Sequence, residues 1–554
     1  MPLTPPDDPR SGALESLQRA LDLPKGFAAM TPTARLQALL ALPDPGRVLR
    51  RLRPDEFYQV INGIGLEDAH DLLPFGTPAQ RKAFVDIDAW SGWRFRPARL
   101  DRILEVAREV STDFATKLLG ELDPELIALR VVTATTEVLT SDEIEDRGLP
   151  DEGVATSPDG VFSLVCEDPD DADVMRRWMD LMFARDLDEA HRVLHALRRD
   201  TRSSLEEDTF RFRDARMQDL GFPAAGDRFD LFEPFDLPGL RDRLREGRAP
   251  AARPPASPPL ALVLAGSGER LFAWHALDAL KDSPRLAGFV SELLFLVNRV
   301  LGARSEDWFE ADEWSEAAAQ ALRFVSVGIE HLAGGDPGEA GRVAGLATPV
   351  ELFRAGVEVI RPAHLLARRV IADIGGTAGL RRFEEAAATT VEALASFPPQ
   401  VADEKPPHLP RDPRSTGEVA QAYRTCLEAE AVARFAMQAL GFDPRAAAPG
   451  TGPTFAAVVA TAWAHGVLHG APSLVPLTGD DLRSLRVAAF EEGRIRPALR
   501  RPAEAAAEGP VPQVAAAVRE FLGRALDRVE ESLGGVPASS PVDPRFVGDC
   551  LIVR

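Results

Sequence analysis

Proline placement constrains this chain more than any other feature. Asp or Thr stands directly before Pro at Thr31-Pro32, Asp44-Pro45, Thr77-Pro78, Asp123-Pro124, Asp168-Pro169, Asp336-Pro337, Thr348-Pro349 and Asp443-Pro444. Such a pair is a helix start. The Asp or Thr oxygen accepts from a free first-turn N–H, and Pro at the first helical position wastes no donor. Gly334-Gly335 just ahead of Asp336 closes one helix before the next opens. The pattern predicts short helices joined by tight turns, with a plain turn at some of these sites.

Between residues 46 and 131 the pattern becomes an approximate repeat. LRPDEFYQVINGIG, TPAQRKAFVDID and LDPELIALRVV each place Pro ahead of apolar residues at three- and four-residue spacing. Consecutive amphipathic helices of this kind stack into right-angled or superhelical arrays. One stretch reads differently. VATSPDGVFSLVCE (154–167) alternates apolar residues around a Pro158-Asp159-Gly160 turn, which predicts a small β-hairpin. The β-branched run VVTATTEVL (131–139) is a candidate third strand.

Proline also marks joints. RAPAARPPASPP (248–259) has the composition of a semi-rigid linker, as does the stretch 398–417. Beyond residue 260, helical spacing recurs over Leu271–Leu280, Arg285–Val300, Glu316–Leu332, Pro349–Val359, Leu380–Ala395, Gly417–Leu440, Phe455–Leu468 and Val514–Leu533. The expected fold is mainly α: a superhelical helix array plus a small β-hairpin, followed by a second all-α helical domain. Its expected layout is a helical lead-in over 1–45, the array over 46–247, a linker at 248–260, a helical domain over 261–397, a linker over 398–417 and a helical region over 418–554.

Charge and cysteine usage restrict partners and compartment. The net charge of -22, from 64 basic and 86 acidic residues, disfavours nucleic acid and anionic membrane as partners. Cys166, Cys426 and Cys550 are scattered singly, which is no disulfide framework and fits a reducing compartment. The first ten residues, with their Asp and Pro, do not read as a signal peptide. The apolar run Phe455–Leu468 is short against the ~20 residues a membrane span needs. Ala287–Leu301 is interrupted by Glu292 and Asn298. A cytoplasmic protein is expected.

Motifs for familiar chemistry are missing. No Lys follows Gly, which removes the phosphate-binding P-loop. Gly266-Ser267-Gly268 lacks the third glycine of a dinucleotide fingerprint, because position 271 is Leu271. His191/His195 and His465/His469 have helical i,i+4 spacing, yet each pair sits beside an apolar stripe and reads as boundary histidines. Asp86-Ile87-Asp88 imitates a phosphotransferase nucleophile, but the preceding TPAQRKAF reads as helix, so helix termination is expected. The densest charged pattern runs from Glu206 to Arg216. There Arg211, Arg213 and Arg216 are candidates for an interaction face toward a partner or anion, against the simpler reading of a solvated, salt-bridged helix ending at Gly221-Phe222-Pro223.

Two resemblances follow from these blocks. LRPDEFYQVINGIGLEDAHDLLPFGTPAQRKAFVDIDAW with LLGELDPELIAL resembles the superhelical N domain of MgtE-type magnesium transporters and the armadillo-like part of FliG. In those transporters acidic residues sense magnesium, and no ligand can be matched here residue by residue. LEDAHDLL, SPDGVFSL, EEDTFRFRDARMQDLGFP, LAGGDPGEAGRVAGLATPVELFRAGVEV and DPRFVGDCLIVR together resemble an uncharacterised bacterial domain-of-unknown-function family, which implies no activity and no catalytic residues.

The expected function is a non-enzymatic cytoplasmic interaction or scaffold protein with a protein partner and no catalytic, cofactor or metal residues. The alternatives are a metal- or ligand-responsive regulator, and an enzyme whose site is built from residues distant in sequence.

Overall fold

A computed structural model describes residues 9–147, 152–198, 201–250, 257–265, 269–446, 452–500, 512–537, 540–543 and 546–554. The chain is mainly α-helical, with a few short antiparallel strand pairs. It forms two compact units, Met1–Ala355 and Gly356–Arg554.

Helix starts follow the proline pattern. Thr31, Asp44, Thr77, Asp168 and Asp336 each cap the helix that their following Pro opens, and Thr77 forms a full capping box with Gln80. Thr348 makes the same reciprocal pair with Glu351. Asp123 precedes a helix, but its carboxylate is drawn to Lys82 and Arg216 rather than to the first-turn amides. Asp443-Pro444 begins only a turn, in which Asp443 takes the Arg445 N–H at 2.9 Å.

In the first unit the hairpin expected near 154–167 is present, and it gains a third strand. Thr135–Thr140 and Val154–Thr156 flank Phe162–Cys166, with Val138 opposite Leu164 and Ala155 opposite Leu164 on the other side. His191 and His195 set their ring edges on Phe162, and His191 Nε2 lies 2.6 Å from Asp159 of the turn. The pair therefore secures the sheet to the Leu187–Leu197 helix instead of facing a metal.

The proline-rich stretch near 250 lies within this unit; its residues 251–256 are outside the described residues, as are Gly266-Ser267-Gly268. Residues from both sides of it share one core. The rings of Tyr58 and Trp314 are 6.0 Å apart, and Phe222 stacks on Trp308 at 4.2 Å. The helix Arg285–Arg304 is long and apolar enough to cross a membrane by composition, but 72% of that apolar window is buried within the protein.

The second unit contains the helices Thr416–Gln438, Phe455–His469 and Pro512–Gly534, and Ala460, Leu485, Leu526 and Leu551 share one of its cores. The stretch 398–417 carries a two-residue ladder, Val401–Ala402 with Pro410–Arg411. His465 is tied by Nε2 to the Val475 carbonyl at 2.8 Å.

One local motif occurs in both units. In the first, the helix Pro78–Asp88 runs into a hairpin pairing Trp90 with Phe95, and Pro97 opens the next helix. In the second, Gly479–Ala489 runs into a hairpin pairing Phe490 with Ile495, and Pro497 opens helical residues 497–500. Both first helices begin at a Thr capping box, and the N–H groups of Arg96 and Arg496 each bond an alanine carbonyl at 2.8 Å. The turns differ. Glu492 and Gly493 both have positive φ, whereas the first hairpin needs it only at Gly92 (φ 55°). That difference frees the second turn position for a side chain, and Trp93 occupies it.

Candidate functional site

Among the described residues of the first unit, two buried polar centres and several cavities stand out as candidates. The first centre grows from the last turn of Pro78–Asp88. Asp86 and Asp88 end this helix, as the sequence suggested, and both are buried. Asp88 accepts from Tyr58 Oη at 3.1 Å and from Arg99 Nη2 at 2.7 Å. Asp86 receives a two-pronged bond from Arg216, 2.7 Å from Nε and 2.9 Å from Nη2, and Arg216 also reaches Asp123. Burial pushes the Asp86 carboxyl up while Arg216 opposes the rise.

Arg213 is deeper still, at 1% exposure. Its Nε donates to the Asp86 carbonyl at 2.7 Å and its Nη1 to the Gly92 carbonyl at 3.1 Å. Its guanidinium carbon stands 5.2 Å from the Trp90 ring centre and 4.7 Å from that of Trp308. Burial lowers its pKa to about 10. Of the three candidate arginines, Arg211 alone faces outward, paired with Asp208 at 3.1 Å. Arg213 and Arg216 are brought together on the inner face of the Arg202–Asp219 helix. The sequence did carry a signal for this: Leu205, Thr209, Arg213 and Met217 are buried at a spacing of four.

With every carboxylate of this centre engaged by a cation, the arrangement clamps four helices and a hairpin. A cavity of about 80 Å³ touches it, lined by Arg213, Trp308, Trp93 and Phe210 but not by Asp86.

The second centre sits at the start of the Pro54–Ile64 helix. Arg53 pairs with Asp55 through two bonds of 3.0 Å and donates to the Ser291 carbonyl at 2.7 Å. Asn298 Nδ2 adds a 2.7 Å bond to Asp55. Glu56, fully buried, accepts the Ala261 N–H at 2.8 Å, and its Oε2 has no hydrogen-bond partner. Burial first, and Asp55 second, push the Glu56 carboxyl up to about 7. An open cleft of about 840 Å³ borders Arg53, Ser257 and Ser291. In the second unit, a groove of about 720 Å³ runs along 401–408, beside Arg411 held between Asp403 and Glu418.

Among the described residues, no three His, Cys, Asp or Glu side chains gather where they could hold a metal ion. No curated protein and no solved structure matches the chain. The chain belongs to the family described as "Family of unknown function (DUF6178)", whose model matches residues 14–554.

Proposed function

We propose that the chain is a non-enzymatic protein-interaction protein whose partner meets the hairpin face around Trp93. One observation carries the reading. Trp93 is 64% exposed on a turn anchored from three sides. Ser91 Oγ donates to Asp307, the Gly92 N–H donates to the Glu306 carbonyl at 2.8 Å, and Arg213 holds the Gly92 carbonyl. A large aromatic side chain held out by a rigid turn loses little freedom on binding.

Its surroundings have interface composition. Arg94 lies over the Trp93 ring at 5.4 Å, and Arg228, which lines the same small cavity as Trp93, lies over exposed Phe229 at 6.0 Å. Trp and Arg are the residues that most often dominate binding energy at interface centres. The net charge of -22 is in keeping with a protein partner rather than nucleic acid. Three buried cysteines without disulfides are in keeping with a cytoplasmic setting. A superhelical array over 46–131, similar to that of MgtE-type transporters and FliG, would extend the contact surface.

The test is affinity purification from the native host with the wild-type chain and with Trp93→Ala. The expected result is a stoichiometric partner recovered with the wild type and depleted with the variant. Equal recovery with both, or no stoichiometric partner, overturns the reading. A second reading, a ligand-responsive regulator, is favoured by the cavity that Arg35, Gln59 and Leu262 line.

A further inference from the structure

The helix Pro54–Ile64 turns an unusual face inward. Glu56, Gln59 and Gly63 follow one another at three- and four-residue spacing, so they share a stripe. Glu56 and Gln59 are buried there, at 0% and 7% exposure. The segment Leu260–Ala265 lies over them. Its backbone turns through Ala261 (φ 57°), whose N–H is held by Glu56. Next to this contact a cavity of about 170 Å³ remains, lined by Arg35, Gln59, Gly63, Leu262, Val263 and Trp314.

Two polar groups in this cavity lack partners of the kind they need. Arg35 donates Nη2 to the Ala28 carbonyl at 2.9 Å, while its buried Nε has no partner. No carboxylate among the described residues pairs with it, whereas the buried arginines Arg81 and Arg130 of this unit each have one. Burial lowers its pKa, the mark of a cation short of counter-charge. Gln59 Oε1 is a buried acceptor with no donor. Leaving such groups unpaired costs free energy that a bound ligand would restore. Leu262, Val263 and Trp314 give the remaining wall an apolar part, and Asn62 and Ser315 add polar groups beside it. The volume far exceeds the roughly 10–15 Å³ that one water needs by this measure. It falls below the roughly 300 Å³ at which pockets for larger ligands begin.

We propose that this cavity binds a small 2-hydroxy carboxylate. Its carboxylate pairs with Arg35, its hydroxyl donates to Gln59 Oε1, and its short alkyl end lies against Leu262, Val263 and Trp314. The assignment is independent of the Trp93 surface, and the variants that test the two are different.

The experiment is titration calorimetry of the full chain with sodium 2-hydroxybutyrate, lactate and butyrate, against sodium chloride at matched ionic strength. The hydroxy acids are expected to bind, and butyrate, which has no hydroxyl, to bind several-fold more weakly. Arg35→Gln is expected to weaken binding roughly tenfold or more, the loss of a charge-assisted pair. Gly63→Leu supplies a second arm. A Cβ at position 63 would find only Arg35 Nη1, at 3.8 Å, so the helix tolerates a side chain that fills the cavity. That variant, checked for folding by circular dichroism, is expected to abolish binding. No heat with any of the acids, or wild-type affinity in a folded Gly63→Leu variant, overturns the proposal. Equal affinity for butyrate and 2-hydroxybutyrate overturns the role given to Gln59.

Discussion

The Ala261 N–H donates to Glu56 Oε1 at 2.8 Å across 205 positions of sequence, and the carboxyl that receives it is fully buried. Burial and the neighbouring Asp55 hold Glu56 near 7, against an ordinary value of 4.5. Below the ordinary value both folded and unfolded chains carry the proton, so the group has no effect on stability. Between about 4.5 and 7 the unfolded chain releases it and the folded chain does not. The fold therefore loses stability as pH rises through that window, by about 1.4 kcal/mol for each unit of difference, and no further above it. Urea denaturation at pH about 5.5 and about 8 should show the wild type less stable at the higher value. Glu56→Gln should flatten that difference. A wild-type profile that rises with pH across the window would refute this account of Glu56.

Arg216 and Arg211 stand only five positions apart and should behave oppositely on substitution. Arg216→Ala strips buried Asp86 of its two-pronged partner. Breaking a buried pair from one side costs about 3 kcal/mol. Arg211→Ala removes only an exposed contact with Asp208 and should stay within about 0.5 kcal/mol of wild type. Chemical denaturation of the two variants side by side measures the gap.

These arginines also show what could be read from the sequence. Helix starts were legible because they are local: Thr77 and Gln80 cap each other three positions apart. The sheet was legible for the same reason, through the turn at Pro158-Asp159-Gly160. Arg213 and Arg216 were not, because their acceptor Asp86 lies 127 and 130 positions away. The four-residue stripe that includes Leu205 and Met217 pointed Arg213 inward, but an arginine on a buried stripe reads as polar until its partner is known. Arg-Phe-Arg-Pro-Ala at 94–98 recurs as Arg-Ile-Arg-Pro-Ala at 494–498, but the hairpin tips between the matching helices differ and mask the recurrence in the sequence. The Arg35 cavity depends on four separate segments and has no sequence signature at all.

The cysteines should be slow to react in the folded chain. Burial pushes the Cys166 thiol up to about 11 and the Cys426 thiol up to about 12, with Asp171 and Glu430 adding to the rise, and burial also raises Cys550. The thiolate is the reactive form, so little of it exists near neutral pH. A disulfide-exchange reagent at pH about 8 should label none of the three rapidly in native protein and all three in denaturant. A fast native phase would mean that at least one thiol is open to solvent.

Two glycines of the helix Pro337–Leu346 provide a test of packing with a built-in control. A Cβ on Gly341 would fall 2.5 Å from the Ala279 Cβ, where the Ala273–Ala279 helix approaches. A Cβ on Gly345 would meet nothing within 4 Å. Gly341→Ala must push the two helices apart or distort them, which costs about 1–3 kcal/mol. Gly345→Ala gains helix propensity and reduces the freedom of the unfolded chain, so it should stabilise by about 0.5–1 kcal/mol. The melting temperatures of the two variants should therefore move in opposite directions from wild type. If both rose, the close approach of Gly341 to Ala279 would not exist in solution.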